Sequence, residues 1–356
     1  MSVLFTPLQV GSLSFKNRVW VPPMCQYSAI DGLMQDWHAV HYGGFITGGA
    51  GFVMVEASAV NPEGRISPGD MGIWTDQQAQ VLSEIPRFAK KFDVRTGIQL
   101  AHAGRKAGVH APWRGGAPLT DEENRWETVA PSDIPFEGYP DTNALTVAKI
   151  ALIRQDFVAA AERAVAADFD VIEIHCAHGY LLHEFLSPIS NLRTDEYGGS
   201  FENRTRLLLE IVSEVRLVVP ASKSLWVRLS ATDWIDGAWD VDNSVELSRE
   251  LKARGVELID VSSGGISIKQ EIPLAPGYQV AAARKIAEET GAVVSAVGLI
   301  TTAQQAEEIV ADGVVSAVMI GRAMLGNSRW ALQAAHDLGA DVPWPDQYAR
   351  GFLARH

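Results

Sequence analysis

The sequence predicts an α/β fold, a (β/α)8 TIM barrel with a long capping loop after its third strand. Three observations predict it. Short apolar runs rich in β-branched residues recur eight times, and each is too hydrophobic to have a face in water. Amphipathic stretches bounded by helix-capping residues lie between them. Polar residues and glycines collect just after the C-terminal ends of the runs, the face on which such barrels keep their active sites.

The expected strands are 18–21, 52–56, 96–100, 171–175, 225–229, 258–261, 293–297 and 317–320. Strand–helix alternation implies parallel strands joined by right-handed crossovers, and eight such units close a barrel. The helix over 244–253 is expected to start at Asn243, spaced from Glu246 as a capping box, and to end at Gly255. Thr302, Gln305 and Gly313 repeat that logic one unit later. An open, doubly wound sheet is the alternative, and no Gly-x-Gly-x-x-Gly follows the first strand to support it. One connection breaks the even spacing: residues 103 to about 145 are rich in Gly, Pro, Trp and acidic residues. A loop that long usually has a function. It leaves a C-terminal strand end, so it reads as a lid or substrate wall, with a plain surface insertion as the alternative.

A chain of 356 residues could hold two average domains, yet a single barrel commonly uses about 250 to 400, so one domain over 1–356 is expected. With 47% hydrophobic and 21% charged residues, the chain can bury a large core. The net charge of −13 disfavours nucleic acid and anionic membranes, which reward a basic face, and leaves a small molecule as the expected partner. The N-terminus lacks a basic region followed by an apolar stretch, and no run of about 18 apolar residues could span a bilayer. A cytoplasmic location follows as the expectation. Only Cys25 and Cys176 are present, which argues against a disulfide scaffold, a Cys-rich iron–sulfur cluster or structural zinc.

The strand ends carry the chemistry. Strand one runs into Pro22, Pro23, Met24, Cys25 and Tyr27, strand two into Ala57, and strand three carries Gln99 ahead of His102, Arg105 and Lys106. Strand four ends in His175, His178 and Tyr180. A His-x-x-His pair could ligate zinc, but a catalytic zinc needs a third ligand and no His-x-His opens strand one. The imidazoles could instead satisfy local backbone groups. The reading preferred here is that both donate hydrogen bonds to a substrate oxygen that gains negative charge. Tyr180 could then give a proton to a carbon beside that polarised carbonyl, or simply be a core tyrosine. Gly298 closes strand seven, and Gly321 and Arg322 close strand eight. Those loops often hold a phosphate, with glycine allowing close approach and arginine adding a bidentate bond. Arg228, at the end of strand five, needs an anionic partner: a ring N–C=O that gains charge, with Gln99 on the same edge, or a carboxylate such as Asp233.

These residues resemble the Old Yellow Enzyme family, in the branch with the bacterial xenobiotic reductases and thermophilic-like ene-reductases. The likeness runs from Leu4-Phe5-Thr6-Pro7 through Asn17 and Arg18 to the segment 347–352, and its motifs are specific. They are GIQLAHAGRK at 97–106, IEIHCAHGY at 172–180, Ser187-Pro188 and RTDEYGG at 193–199. The resemblance implies bound FMN, with its phosphate at Gly298, Gly321 and Arg322 and its ring among Pro22, Pro23, Met24, Ala57, Gln99 and Arg228. It makes His175 and His178 the substrate-carbonyl pair and Tyr180 the proton donor. Cys25 would tune the flavin and touch substrate, and Tyr27 would bond the substrate oxygen. Pro22 stands where a serine is frequent, and Cys176 where a small apolar residue is common.

The activity so implied is reduction of the C=C bond of α,β-unsaturated carbonyl or nitro compounds. Hydride passes from NADPH or NADH to flavin N5 and then to the β-carbon, while the α-carbon is protonated. The tail carries Trp344, Tyr348, Arg350 and Phe352, residue types enriched at interface hot spots. By resemblance Arg350 reaches into a neighbouring subunit's site in a homodimer or homotetramer; docking on its own barrel is the alternative. Two other function classes stand beside this reading. A metal-dependent barrel hydrolase would be colourless with bound zinc, and a non-catalytic flavin carrier would be yellow but not reducible by a nicotinamide. An iron–sulfur dienoyl-CoA reductase is not expected with two cysteines.

Overall fold

Eight parallel strands close into a barrel in chain order, each hydrogen-bonded to the next and the last to the first. In the computed structural model, which describes residues 2–351, they are β1 Val19–Val21, β2 Phe52–Ala59, β3 Arg95–Ala101 and β4 Val171–Cys176. The second half is β5 Ser224–Ser230, β6 Leu258–Ser262, β7 Val294–Ala296 and β8 Ala317–Met319. All eight expected strands are present, with every end within three residues of the expected one. Both faces of every strand are covered, by the barrel interior on one side and the helices on the other, which is why β2 is buried along its whole length. Helices such as Val147–Ala166 and Phe201–Val218 lay their apolar faces on the outside of the sheet.

The barrel floor is aromatic. A hairpin of Leu8–Val10 and Leu13–Phe15, which the apolar-run pattern did not foreshadow, precedes β1. It carries Phe15 against Trp20, Phe52 and Trp226, with ring centroids 4.8, 5.7 and 5.9 Å away. Phe15 is fully buried, so truncating it to alanine would cost about 3–5 kcal/mol. This floor closes the N-terminal end and leaves the C-terminal end open to ligands.

Helix ends test the capping expectations. The helix Val241–Ala253 starts one turn earlier than expected, because Asp240, not Asn243, is its N-cap; Asp240 Oδ1 accepts from Asn243 N at 2.8 Å. Gly255 does end it, at φ +82°. Thr302 caps Ala303–Val310 through the main-chain N of Gln305. After β3 the chain makes short 3-10 turns and the strand pair Val129–Ala130 with Asn143–Ala144 before re-entering a helix at Val147. Among the described residues no helix is long and apolar enough to cross a membrane.

Candidate active site

The mouth of the barrel holds a cavity of about 310 Å³, and the strand-end residues singled out above line it. Pro22, Pro23 and Met24 enter it from the end of β1, Arg228 from β5, Gly298 from the loop after β7, and Gly321 and Arg322 from the loop after β8. His178, carried by the turn after β4, lines the same cavity. Two guanidinium groups and no carboxylate are among its lining residues. That composition suits a ligand with a phosphate and polar ring edges.

Gly298 sits at φ +123°, where a side chain is strained, and an added Cβ would lie 2.8 Å from Gln279 Nε2. The position holds only glycine without rearrangement. Gly321 leads directly into the short helix Arg322–Gly326, and a Cβ there would meet Pro22 Cγ at 3.6 Å and Met24 Sδ at 3.8 Å. A side chain would take up space that the cavity offers to a ligand.

A chain of rings leads from the cavity to the capping loop. The rings of His178 and His175 lie 5.2 Å apart, and those of His175 and Tyr180 also 5.2 Å, in edge-on contacts. His178 exchanges a 2.7 Å hydrogen bond through Nε2 with Ser262 Oγ at the end of β6. His175 Nδ1 is buried with no protein partner, an orphaned polar atom of the kind a ligand satisfies. Burial, reinforced by the Arg228 guanidinium, pushes both imidazoles well below the usual histidine range, so both are neutral near pH 7. Burial pushes the Tyr180 phenol well up, which keeps it protonated.

Tyr180 meets the loop after β3. Ile66, Ala103, Ala107 and Val109 form a small apolar cluster, and Cys25, Tyr27, Trp126, Tyr139 and Tyr180 pack on it. The loop thus packs against Cys25, Tyr27 and Tyr180, three of the residues singled out in the sequence. Cys25 is partly exposed; burial and the nearby Asp70 and Glu56 carboxylates push its thiol well up. Tyr27 holds a left-handed backbone at φ +49°, a conformation that clusters at functional sites.

Not every expected residue lines the cavity. Ala57 and Gln99 are buried register partners on β2 and β3, and Gln99 Nε2 donates to Glu173 Oε1 at 2.8 Å. Arg228 lies 3.1 Å from Asp260 Oδ2, so it is compensated within the protein. The expected alternative partner, Asp233, is instead 2.9 Å from His183 Nε2 and accepts from Ser187 Oγ. Parallel register explains this, because Arg228 and Asp260 are directly opposed on β5 and β6. Arg350 is exposed in the tail turn Asp346–Gly351, away from this cavity's lining. Tyr348, on that turn, lies under the Arg329 guanidinium at 4.4 Å. Phe352 lies outside the described residues.

Several site residues escaped the sequence reading. Ser262, Tyr278 and Gln279, on β6 and the loop after it, line the cavity. The run Ser262-Ser263-Gly264-Gly265 was the signal, since it is polar and glycine-rich at a C-terminal strand end. Among the described residues no group of three or more His, Cys, Asp or Glu side chains could hold a metal ion.

Comparison with known proteins gives the family. Residues 3–341 match the NADH:flavin oxidoreductase / NADH oxidase family. The chain is 43% identical to an NADPH dehydrogenase of Bacillus subtilis strain 168, over 98% of this chain and 99% of that one. It is 44% identical to an NADPH dehydrogenase of Geobacillus thermodenitrificans strain NG80-2, with 99% of each covered. A structure of morphinone reductase in complex with tetrahydroNAD superposes with a TM-score of 0.78 at 28% identity, over 99% of this chain and 94% of that one. The chain is an oxidoreductase of the NADH:flavin oxidoreductase family, the Old Yellow Enzyme group, and its cofactor is FMN.

Proposed function

We propose that this enzyme reduces the C=C bond of alkenes activated by a conjugated carbonyl or nitro group, drawing hydride from NADPH or NADH. One observation carries the reading: His178 lines the same cavity as Gly298, Gly321 and Arg322. A substrate held by the imidazoles therefore lies against whatever the arginine and glycines hold. When bound, FMN supplies two-electron hydride chemistry there.

Each residue then has a task. Gly298, Gly321 and Arg322 hold the flavin phosphate, while Pro22, Pro23, Met24, Ala57, Gln99 and Arg228 surround the ring. His175 and His178, kept neutral by burial, present N–H groups to the substrate oxygen and polarise the alkene. Single donors of this kind contribute about 3 kcal/mol to a transition state. Tyr27 adds a further bond to that oxygen, and Cys25 borders the ring and substrate. Tyr180 gives its phenolic proton to the α-carbon, for which its raised affinity for the proton keeps it loaded. The wall of the β3 loop excludes water from the reacting carbons. By the same resemblance the chain forms a homodimer or homotetramer, and the exposed Arg350 reaches a neighbouring subunit's site.

The test is optical. Protein loaded with FMN and kept free of oxygen should lose its yellow colour on adding NADPH, then regain it with 2-cyclohexenone as cyclohexanone forms. A yellow protein that NADPH cannot bleach would be a carrier, and the proposal would fail.

A further inference from the structure

A polar ring crosses the barrel between the aromatic floor and the cavity. Gln99, Glu173, Arg228, Asp260 and Ser295 enter it from β3, β4, β5, β6 and β7 in turn. Gln99 donates to Glu173 at 2.8 Å, Ser295 Oγ donates to Asp260 Oδ1 at 2.8 Å, and Arg228 Nε lies 3.1 Å from Asp260 Oδ2. Glu173 and Asp260 are fully buried, and Arg228 is 5% exposed where it lines the cavity. Glu173 shares a strand face with His175 and lies one side-chain layer nearer the floor.

Two further cations are close: Arg322 lines the cavity with Arg228, and the Lys106 ammonium, its pKa lowered by burial to about 8, acts on both imidazoles from the β3 loop. Trp20, Phe52, Val171, Trp226 and Leu258 seal the ring from below. Above it stand the imidazoles of His175 and His178, both held neutral. Glu56 on β2 turns outward to Tyr42, which donates to it at 2.9 Å, and to His38. Asp260 is paired with the one guanidinium at this level, while Glu173 is held by Gln99 and keeps one buried carboxylate oxygen without a protein partner. With both ionised the trio would carry an unbalanced negative charge in a medium that solvates it poorly, and one retained proton makes it neutral.

We propose that Glu173 and Asp260 form a one-proton store whose occupancy sets the net charge that Arg228 presents to the flavin ring, and with it the flavin's reduction potential. The inference rests on the placement of Arg228 beside the ring given above, and not on the identity of the alkene. A hydride brings two electrons and one proton to the ring and leaves one negative charge there. If the store has already lost its proton, reduction draws one from solvent onto a carboxylate, so that two electrons arrive with two protons. If the store is full, two electrons arrive with one. Burial and the neighbouring Asp260 push the Glu173 carboxyl up to about 8, and burial pushes Asp260 up as well. The extra proton uptake therefore belongs to alkaline pH.

The test is the midpoint potential of the flavin-loaded protein without alkene, followed from about pH 6.5 to about pH 10. In the wild type the dependence should steepen above about pH 8. The added slope is one tenfold change in the two-electron equilibrium per pH unit, about 30 mV. Glu173→Gln should keep the shallow slope throughout and be easier to reduce than wild type at the alkaline end. Asp260→Asn removes the charge that repels Glu173, and should move the break to lower pH. If Glu173→Gln does not fold, the wild type and Asp260→Asn decide between themselves. A flavin-loaded wild type with no break, or three parallel lines, overturns this inference alone. A protein that takes up no flavin overturns the reading it rests on, and the store with it.

Discussion

Lys106 donates from Nζ to the main-chain carbonyl of His178 at 2.8 Å, and the same ammonium reaches the carbonyl of Gly265 at 2.9 Å. His178 needs the clamp, because its backbone is left-handed at φ +60°, a costly state for a residue with a side chain. The ammonium also lies 5.2 Å above the Tyr180 ring, so one buried cation touches both halves of the proposed substrate site. Burial lowers its pKa to about 8. Hydrogen bonds to charged groups contribute about 1.5–3 kcal/mol each. Lys106→Met should therefore lower kcat/KM for an enone by roughly tenfold or more while FMN stays bound. Unchanged enone kinetics would show that the turn holds His178 without help.

Gly298→Ala tests the phosphate end. The φ of +123° and the 2.8 Å approach to Gln279 should together cost about 1–3 kcal/mol. The expected result is a lower Tm and loss of FMN on dialysis. A variant that keeps wild-type flavin content would remove this loop from the cofactor site.

The histidines predict an acid limit. His175 and His178 are held well below the usual range in the folded state, whereas in the unfolded chain histidine titrates near about 6.5. Below that pH the unfolded chain binds more protons than the folded one. Stability is therefore complete above about pH 6.5 and is lost as pH falls toward the folded-state values. A plot of Tm against pH should bend down there in wild type and less in His175→Gln with His178→Gln. Parallel curves would contradict buried, neutral imidazoles.

Much of this was legible in the chain. The eight strands declare themselves because burial on both faces makes each a continuous apolar run, as in 171–175. Strand ends then point to His178, Arg228, Gly298 and Arg322, which the structure gathers around one cavity. What stayed hidden depends on register and tertiary contact. Asp233 is near Arg228 in sequence, but parallel pairing puts Asp260 opposite it. The hairpin at Leu8–Phe15 has strands of three residues, too short for a period to show. The early start at Asp240 competes with Asn243, an equally good cap by residue type.

The tail gives a separate test of assembly. Tyr348 docks on its own barrel under Arg329, which leaves the exposed Arg350 as the residue proposed to reach a neighbour. Deleting residues 345–356 should lower the native mass and weaken enone affinity. A truncated protein that remains oligomeric and fully active would refute the shared site.

The central claim is that the paired imidazoles and the flavin face each other across one alkene-sized gap. The most direct measurement is the single-turnover rate at which 2-cyclohexenone restores the colour of NADPH-bleached protein, free of oxygen. His175→Ala with His178→Ala should keep its flavin and still be bleached, yet recolour at least roughly a hundredfold more slowly, from a loss of about 3 kcal/mol. Recolouring at the wild-type rate in that double variant would contradict the account.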